Sequence, residues 1–549
     1  MGNMLPWFQM GQGPDSTVSS WSRLPHPLLV SGILLFLWHA AYAFSWTLDD
    51  PFISFRYASF LNRGQGLVFN PGERVEGYSN FLWTLWVALG MKLGVQAFCW
   101  AKWSGLCMGV LNLLLLYRLG VGVLPGDLDR RRLGAGMGVL LTGGSFWWGL
   151  WMMGGLEVPL FVLLILWAAV RLLREGDGSK RLPLAGVLVG LLGLTRPEGP
   201  LWALALLGGM AYAYLRDRAP GTRRRLLVYG LSLAAIGGGY AAFKLAYYGG
   251  LLPNTFYAKM GERWIQFQHG LLYLANALTV SAGFRLGEGR VPVDPQHLLL
   301  PGAWISLPLA LVLGTAGLFF FRRSSARVEL RAFLLLGLLG SLGFILYFGG
   351  DWMAGFRFLI PILPLGWLML SGWLLAGKGR VTTWLAPLAL LFLLGSAVFV
   401  QKAYALRQIP WIRSMAYRVR CDLPGGPLLN VVHWIRTHVP KGSLIAISEA
   451  GVIPFHCPEY RFLDYLGLTD PHVGRLEGEL HVKTDPPYIF ARKPRLLVLI
   501  GKKKGDRFEG FGAFQAFFES PGLKRDYFLR KTLQRGEKDD FLLFERRER

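Results

Sequence analysis

Long apolar runs, each about as long as a membrane-crossing helix, recur between residues 26 and 402. Runs of roughly 20 apolar residues are the signature of transmembrane helices. The pattern predicts eleven spans, at 26–48, 101–119, 133–153, 157–173, 182–195, 199–215, 226–247, 301–321, 332–348, 358–377 and 382–402. The run at 182–195 is short for a span, which indicates a tilted or broken helix.

The stretch 81–98 is apolar and rich in tryptophan, but Lys92 interrupts it. If it lies in the membrane interface without crossing, the arginine-rich loops at 118–132, 171–181 and 216–225 share one side. Short loops rich in Lys and Arg stay in the cytoplasm. We therefore predict a juxtamembrane helix at 81–98, with the N-terminus cytoplasmic and the first loop (49–100) on the outer face of the membrane.

From about residue 404 the long apolar runs end and charge rises. Segments 443–451 and 495–502 are typical of buried strands, and 428–439 has apolar residues at helical spacing. The sequence therefore predicts a polytopic α-helical membrane protein, with a transmembrane domain at 1–403. An α/β domain on the outer side of the membrane follows at 404–549.

The chain has 549 residues, of which 53% are hydrophobic and 17% charged, and its net charge is +24. Strong positive charge also occurs in nucleic-acid-binding proteins, but here much of it lies in short loops between apolar runs. The predicted partner is therefore a lipid bilayer and not a nucleic acid. The cysteines have no CxxC spacing, which argues against a zinc or redox motif. Cys421 and Cys457 either pair in an oxidising compartment or stay free.

Two adjacent carboxylates, Asp49 and Asp50, stand at the outer end of the first predicted span. Charge beside a bilayer is costly, so these residues are candidates for function. One is suited to act as a general base on an acceptor hydroxyl while the other orients the acceptor. A divalent cation held by their oxygens is a second use, and capping of the helix that begins at Pro51 is the structural alternative.

Four basic residues are candidates to bind a phosphate group. Arg196, Lys259 and Arg357 lie in Gly/Pro-rich turns on the predicted outer face, and a phosphate leaving group needs positive donors. Lipid headgroups, or an ion pair of Arg196 with its neighbour Glu198, are the alternatives. Arg56 lies in the segment FISFRYASFL, whose pattern suits an amphipathic interfacial helix, and it binds either phosphate or headgroups.

Further polar residues on the predicted outer face are candidate substrate contacts. Glycines before Asp351 let a ligand approach the backbone, and tryptophan rings stack on sugars but are also common at membrane interfaces. Asn254, after a proline, is alternatively a turn residue. The candidates are Glu76, Tyr78, Asn80, Glu157, Glu198, Asn254, Asp351 and Trp352. In the C-terminal region, Glu449, Asp464 and Asp470 are either acceptor contacts or domain-interface residues.

Several motifs together resemble a known family over nearly the whole chain. They are DDPFISFRYASFLNRGQGLVFNPGERVEGYSNFLW from Asp49, GLE at 155–157, TRPEG at 195–199, LLPNTFYAK at 251–259, GGDWMAGFRFL at 349–359 and DYLGLTD at 464–470. The chain resembles the C-type glycosyltransferases that use polyprenyl-phosphate sugars. Within them it is similar to the terminal arabinofuranosyltransferases of mycobacterial cell walls and their bacterial relatives.

The resemblance implies an inverting transferase of the bacterial inner membrane, whose site and C-terminal domain face the periplasm. The donor would be a sugar on a polyprenyl phosphate, and the acceptor a glycan, glycolipid or protein. Asp49 or Asp50 matches the position of the family's catalytic base, and Lys259 and Arg357 match donor-phosphate positions. Val158 stands where relatives often have a small polar residue, and the C-terminal domain is short, so the sugar and the acceptor stay open.

Two other classes of function remain as alternatives. A transporter or flippase would place ionisable residues within the spans and often has repeated halves, whereas this sequence has few such charges, such as Lys244, and no repeat. A scaffold protein would not need carboxylates and cations on one face. A protein O-glycosyltransferase would use the same chemistry on another acceptor. The sequence thus favours a membrane glycosyltransferase, with arabinofuranosyl transfer as one form of it.

Overall fold

Helices fill the first part of the chain, and a mixed sheet flanked by short helices follows from Pro427. The computed structural model describes residues 26–44, 46–176, 182–281, 310–351, 353, 355–376, 391, 393–395, 398, 426–478, 482–536 and 539–548. The order of elements therefore agrees with the predicted helical membrane domain followed by an α/β domain.

The helical part contains helices of very different length. The longer ones are α1 (Pro27–Ala43), α4 (Ala97–Val123), α5 (Leu128–Gly144), α7 (Val158–Arg174), α9 (Gly199–Asp217), α10 (Pro220–Tyr248), α12 (Arg263–Ser281), α13 (310–323), α14 (Val328–Phe348) and α15 (Leu363–Ala376). The shorter ones are α2 (Pro51–Asn62), α3 (Phe81–Lys92), α6 (Phe146–Met152), α8 (Ala185–Gly193), α11 (Asn254–Ala258) and a 3₁₀ turn at Arg357–Leu359. Among the described residues, α4, α10 and α14 are long and apolar enough to cross a bilayer.

Most predicted spans contain a helix, with two differences. The span 133–153 is divided at Ser145, where α5 ends and α6 begins. Helix α12 was not predicted, because the polar residues of its first turns, such as Arg263 and Gln266, interrupt the apolar run. The span 382–402 lies almost wholly outside the described residues. The number of spans and their orientation stay predictions.

The two helices of the first loop have different outcomes. Helix α3 has 12 residues and is about 18 Å long, too short for a hydrocarbon core of about 30 Å, as expected of the juxtamembrane helix predicted at 81–98. The prediction that FISFRYASFL is an amphipathic interfacial helix is wrong. Nine residues of α2 are buried, because the helix packs against α3 and the C-terminal domain.

The C-terminal domain is built on a six-stranded mixed sheet. Strand β1 (Leu444–Ile447) pairs in parallel with β2 (Arg461–Asp464) and with β3 (Leu496–Lys504). Strands β5 (Tyr527–Gln534) and β6 (Asp540–Arg546) complete the order β2-β1-β3-β6-β5, and β4 (Arg507–Glu509) pairs with β3. The strands predicted at 443–451 and 495–502 are confirmed.

Short helices surround this sheet. They are α16 (Pro427–His438), α17 (Val452–His456), α18 (Pro471–Gly474), α19 (Pro486–Ala491), α20 (Ala513–Glu519) and α21 (Pro521–Asp526). Helix α16 confirms the prediction at 428–439. Cys457, at the end of α17, is a buried free thiol, so the pairing with Cys421 is wrong and Cys421 itself lies outside the described residues.

One apolar core joins the first loop to the C-terminal domain. Phe52 and Trp83 of the loop belong to the same buried cluster as Val431 and Ile445 of the domain. Each buried side chain of this size contributes roughly 1.5–3 kcal/mol. The domain is therefore held firmly against the loop that carries the two aspartates. The predicted domain boundary at 403/404 lies outside the described residues.

Candidate active site

A cavity of about 3000 Å³ lies where the helical part meets the C-terminal domain. Most of the predicted site residues line it. They are Asp49, Asp50, Tyr78, Asn80, Glu157, Arg196, Glu198, Lys259, Asp351 and Arg357. The C-terminal domain adds Asn430, Ser448, Glu449 and Arg535 to the lining. Residues from distant parts of the sequence thus converge on one space.

Asp49 fastens the C-terminal domain to the first loop. Its two carboxylate oxygens accept hydrogen bonds from the backbone N–H groups of Gly451 (2.8 Å) and Val452 (2.7 Å), at the start of α17. A Cβ atom on Gly451 would lie 1.9 Å from the Asp49 carbonyl oxygen, so only glycine allows this approach. Burial and the charge of Glu449 raise the pKa of Asp49 well above its usual value.

Asp50 has an environment different from that of Asp49. It is the N-cap residue of α2, but its side chain makes no capping hydrogen bond, so the predicted capping role is wrong. The side chain lines the cavity. Burial raises the pKa of Asp50 to about 6, although the positive charges of Arg357 and Lys259 oppose this shift. The charge of Asp50 therefore interacts with the charges of Arg357 and Lys259 across the cavity.

Lys259 contributes a positive charge to the lining of the cavity. It directly follows α11, and Gln266 of α12 donates a hydrogen bond to its carbonyl oxygen (2.9 Å). Within the described part of the chain, its ammonium group has no ion pair or hydrogen bond. Burial and the charge of Arg357 lower the pKa of Lys259, which Asp50 partly opposes.

Arg357 is held by a glycine-rich turn that follows α14. Its guanidinium forms an ion pair with Asp351 at 2.7 Å. Gly349 and Gly350 have φ angles of +77° and +80°, and a Cβ on Gly350 would lie 2.6 Å from the ring of Tyr273. The turn therefore requires glycine, and it places the carboxylate of Asp351 beside Arg357.

Arg196 is the centre of a buried ion triad. Its guanidinium pairs with Glu157 (2.7 Å) and with Glu198. Asn80 donates to the second oxygen of Glu157 (2.9 Å) and accepts a hydrogen bond from Ser54 (2.9 Å). The ion pair of Arg196 with Glu198, an alternative left open by the sequence, is confirmed. Both oxygens of Glu157 are thus occupied, and the triad stiffens one wall of the cavity.

Three other predicted residues make contacts within the protein. Glu76 pairs with Lys244 (2.8 Å). The hydroxyl of Tyr78 lies 3.1 Å from that of Tyr248. Asn254 does not line the cavity, and its amide donates to three carbonyls at 467–470, which links α11 to the C-terminal domain. Trp352 lies outside the described residues.

Arg56 is not part of the cavity. Its guanidinium donates to the carbonyl oxygens of Phe69 (2.7 Å), Tyr460 (3.2 Å) and Pro454. Aromatic rings, including that of Phe462 at 5.1 Å, surround it. Burial lowers the pKa of Arg56 to about 9. The structure therefore places this cation between α2 and the C-terminal domain, away from the other phosphate-site candidates.

Some lining residues were not identified from the sequence. Tyr273 of α12 accepts a hydrogen bond from the backbone N–H of Phe358 (3.2 Å) next to Arg357, so α12 supports the cation on this side. Arg535 pairs with Glu449 (3.2 Å). The polar residues that interrupt α12 were the available signal. The sequence gave no signal that Arg535, in the β5–β6 turn, would line the cavity.

An apolar groove extends the cavity into the helical part. It is lined by residues of α8, α9, α10 and α14, including Val189, Gly193, Leu201, Leu233, Gly237, Gly340, Gly343 and Phe344. A Cβ atom added at Gly193, Gly237 or Gly343 would meet nothing within 4 Å. These glycines therefore leave this part of the cavity open.

The amino-acid sequence is similar to two curated transferases. Over 252 residues it is 31% identical to the terminal β-(1→2)-arabinofuranosyltransferase of Mycobacterium tuberculosis, covering 42% of this chain and 37% of that one. Over 371 residues it is 28% identical to the enzyme of the same name from Corynebacterium glutamicum, covering 61% and 49%. The chain thus matches less than half the length of each relative. The resemblance that the motifs indicated is confirmed.

Comparisons of structure and of the C-terminal domain give two further findings. The fold resembles that of the archaeal oligosaccharyltransferase AglB from Archaeoglobus fulgidus, with a TM-score of 0.51 and 14% identity, over 86% of this chain and 68% of that one. Residues 412–544 match the family model DUF8728, described as a domain of unknown function. The chain therefore shares its fold with that oligosaccharyltransferase, and most of its C-terminal region is similar to a domain whose function is not assigned.

Proposed function

We propose that the chain is an inverting membrane glycosyltransferase. It transfers a sugar from a polyprenyl-phosphate donor to a hydroxyl of a cell-envelope glycan, glycolipid or protein. The observation that carries this proposal is the convergence of Asp50 with Lys259 and Arg357 on one cavity. The names of the sequence relatives favour arabinofuranose as the sugar.

Asp50 acts as the general base. Its carboxylate removes the proton from the acceptor hydroxyl while the oxygen attacks the anomeric carbon of the donor. The bond between that carbon and the phosphate oxygen breaks on the opposite side, so the configuration inverts. A pKa of about 6 leaves Asp50 mostly ionised at neutral pH, yet keeps it a stronger base than an ordinary aspartate.

Lys259 and Arg357 bind the donor phosphate. The donor is a phosphodiester with one negative charge, and the departing polyprenyl phosphate gains a second one. Cations placed where this charge develops stabilise the transition state more than the ground state. Lys259 is suited to the role because its ammonium is unpaired in the described part of the chain. Arg357 shares its charge with Asp351.

Arg196 has a different role from the one expected of a phosphate ligand. Because Glu157 and Glu198 both contact its guanidinium, we assign it to shaping the cavity wall. The remaining lining residues, among them Tyr78 and Asn80, are then available to position the sugar. Arg56 is left out of the phosphate site because the structure places it elsewhere.

The polyprenyl tail lies in the apolar groove. Its lining by α8, α9, α10 and α14 is continuous with the part of the cavity that holds Lys259 and Arg357. A lipid-linked donor needs such a continuity, because its phosphate and its tail bind at the same time. The oligosaccharyltransferase of similar fold was solved with a dolichol phosphate, which supports a lipid phosphate as ligand. The charged loops predict that the site faces the periplasm.

Transfer by purified Asp50→Asn tests the proposal. The variant should lose about 10²- to 10⁴-fold in kcat with a polyprenyl-phosphate sugar, the usual contribution of a general base. Asp129→Asn, at an exposed position in the first turn of α5, is the matched control and should keep full activity. Near-normal turnover of Asp50→Asn would remove Asp50 from the mechanism. Transport of the lipid without any transfer would favour a flippase.

A divalent cation at the aspartates is a separate question. Within the described residues, no group of three or more His, Cys, Asp or Glu residues is arranged to hold a metal ion. Both oxygens of Asp49 accept backbone hydrogen bonds. Transfer measured after EDTA treatment decides the matter, since a loss that Mg²⁺ or Mn²⁺ restores would add a cation to the mechanism.

A further inference from the structure

The C-terminal domain has a crevice of its own, which opens into the cavity. Strand β1 lies between β2 and β3, and both are parallel to it. The chain adds β2 on one side of β1 and β3 on the other, so the strand order reverses at β1. In open α/β sheets, ligands bind outside the carboxyl ends of the strands at such a switch point. Ser448 and Glu449 directly follow the carboxyl end of β1, and both line the cavity.

The β5–β6 turn lies over the same edge of the sheet. The last residue of β5, Gln534, pairs with Asp540, which also pairs with Gly501 near the end of β3. Gln534 and the adjacent Arg535 line the cavity. Two further sides of the crevice come from α16 and from the loop before α20. They are lined by Asn430 and Phe511.

The chemistry of the crevice differs from that of the phosphate site. Arg535 pairs with Glu449 at 3.2 Å and with Asp539 at 4.0 Å, so these three side chains carry no net positive charge. The amide side chains of Asn430 and Gln534 are exposed. Amides, carboxylates and a guanidinium offer both donors and acceptors, and Phe511 adds an apolar face. This combination suits an uncharged polyhydroxylated ring better than a phosphate, which needs net positive charge.

The crevice adjoins the aspartates. Gly451, whose N–H binds the carboxylate of Asp49, lies only two residues after Glu449. A ring bound between Glu449 and Asn430 therefore enters the cavity from the side of the C-terminal domain. The donor phosphate enters from the side of α11 and α14, where Lys259 and Arg357 lie. The two substrates would thus reach Asp50 from different sides.

We propose that this crevice is the acceptor site, which holds the terminal neutral sugar of the acceptor glycan with one hydroxyl directed at Asp50. The inference rests on the proposed transferase activity and gives the C-terminal domain its role. Selection of the acceptor is then a property of the segment that matches DUF8728, whereas the donor is selected by the helical part.

The test uses the purified full chain with Asn430→Ala and Gln534→Ala, singly and combined. Matched controls are His433→Ala on α16 and Thr532→Ala on β5, which are exposed and do not line the cavity. The probes are a polyprenyl-phosphate arabinofuranose as donor and a short arabinofuranosyl oligosaccharide as acceptor. Binding of neutral pentofuranosyl and hexopyranosyl oligosaccharides is measured separately, by saturation-transfer NMR on Asp50→Asn.

Each single variant should raise the acceptor KM about 5- to 10-fold, the usual effect of one lost hydrogen bond, and the donor KM should stay within twofold. Asp50→Asn should show saturation transfer to the bound oligosaccharide. The same protein with Asn430→Ala and Gln534→Ala added should show none. An unchanged acceptor KM, a raised donor KM, or no binding of any neutral oligosaccharide to the parent chain would overturn the inference. Failure of the proposed function gives a different result, in which the oligosaccharide binds normally but the parent chain transfers no sugar from the donor.

Discussion

The pH dependence of sugar transfer gives the sharpest test of the assignment of Asp50. If its carboxylate is the base, only the ionised form is active, so kcat/KM rises with pH through the pKa of Asp50 and then levels off. Burial in the cavity raises that pKa to about 6, against the opposing charges of Arg357 and Lys259. The acidic limb of the pH profile should therefore be centred well above pH 3.9, which is about the usual pKa of an aspartate.

The size of the effect follows from the same value. With a pKa of about 6, roughly one carboxylate in ten is ionised at pH 5 and one in a hundred at pH 4. Thus kcat/KM should fall about tenfold for each pH unit below 6. Removal of the nearby cation in Lys259→Met raises the pKa of Asp50 further, so the limb should move to higher pH.

The assay follows transfer from a polyprenyl-phosphate sugar between pH 4.5 and about 8.5, with saturating acceptor. Thermal unfolding at each pH confirms that the protein stays folded, and Asp129→Asn serves as the matched control. A kcat/KM that does not change with pH above 5 would contradict the assignment of Asp50 as the base. An acidic limb at the same pH in Lys259→Met and in the parent would contradict the influence of Lys259 on the pKa of Asp50. Residual activity of Asp50→Asn should show no limb near pH 6.

Three further predictions concern the phosphate site, the groove and the domain contact. Lys259→Met should raise the donor KM and lower kcat/KM about 10- to 100-fold, because a charged contact to phosphate is lost, whereas the exposed Lys531→Met should not. Gly237→Leu should raise the KM of a long polyprenyl donor but not of a short-chain analogue, with Gly230→Leu, on the same helix but outside the groove, as control. Arg56→Leu should destabilise the fold by about 1–3 kcal/mol or more, because buried carbonyls lose their donor, and a thermal shift compared with the exposed Arg63→Leu measures this.

Much of the fold could be predicted from the sequence, because the spacing of apolar residues and the length of apolar runs determine where helices and strands form. The helices α4 and α14 and the strands β1 and β3 lie where the patterns predicted them. Helix α12 was missed because polar residues interrupt its apolar run, and some of them, such as Gln266 and His269, line the cavity. Gln266 also donates a hydrogen bond to the carbonyl oxygen of Lys259. A pattern search treats such residues as breaks in a span, although they are the ones that serve the site.

The burial of α2 also could not be predicted from the sequence. Its pattern suits a surface helix, and only the C-terminal domain, about four hundred positions later in the chain, covers the second face. Arg56 therefore looked like a free cation. The same long-range contact decides that the guanidinium binds carbonyls of the domain instead of a phosphate. Charges that converge on a cavity were predictable as a set, but their individual partners were not.

The division of labour between the two aspartates follows from their contacts. Asp50 is the N-cap residue of α2, and Asp49 precedes it. Asp49 accepts hydrogen bonds from the backbone N–H groups of Gly451 and Val452 at the start of α17, whereas the side chain of Asp50 makes no capping hydrogen bond and lines the cavity. The contact that docks the C-terminal domain thus also fixes the backbone next to Asp50, the proposed base. Asp49→Asn, which keeps one acceptor oxygen of two, should therefore weaken the docking and lower kcat, while Asp50→Asn should leave the docking intact.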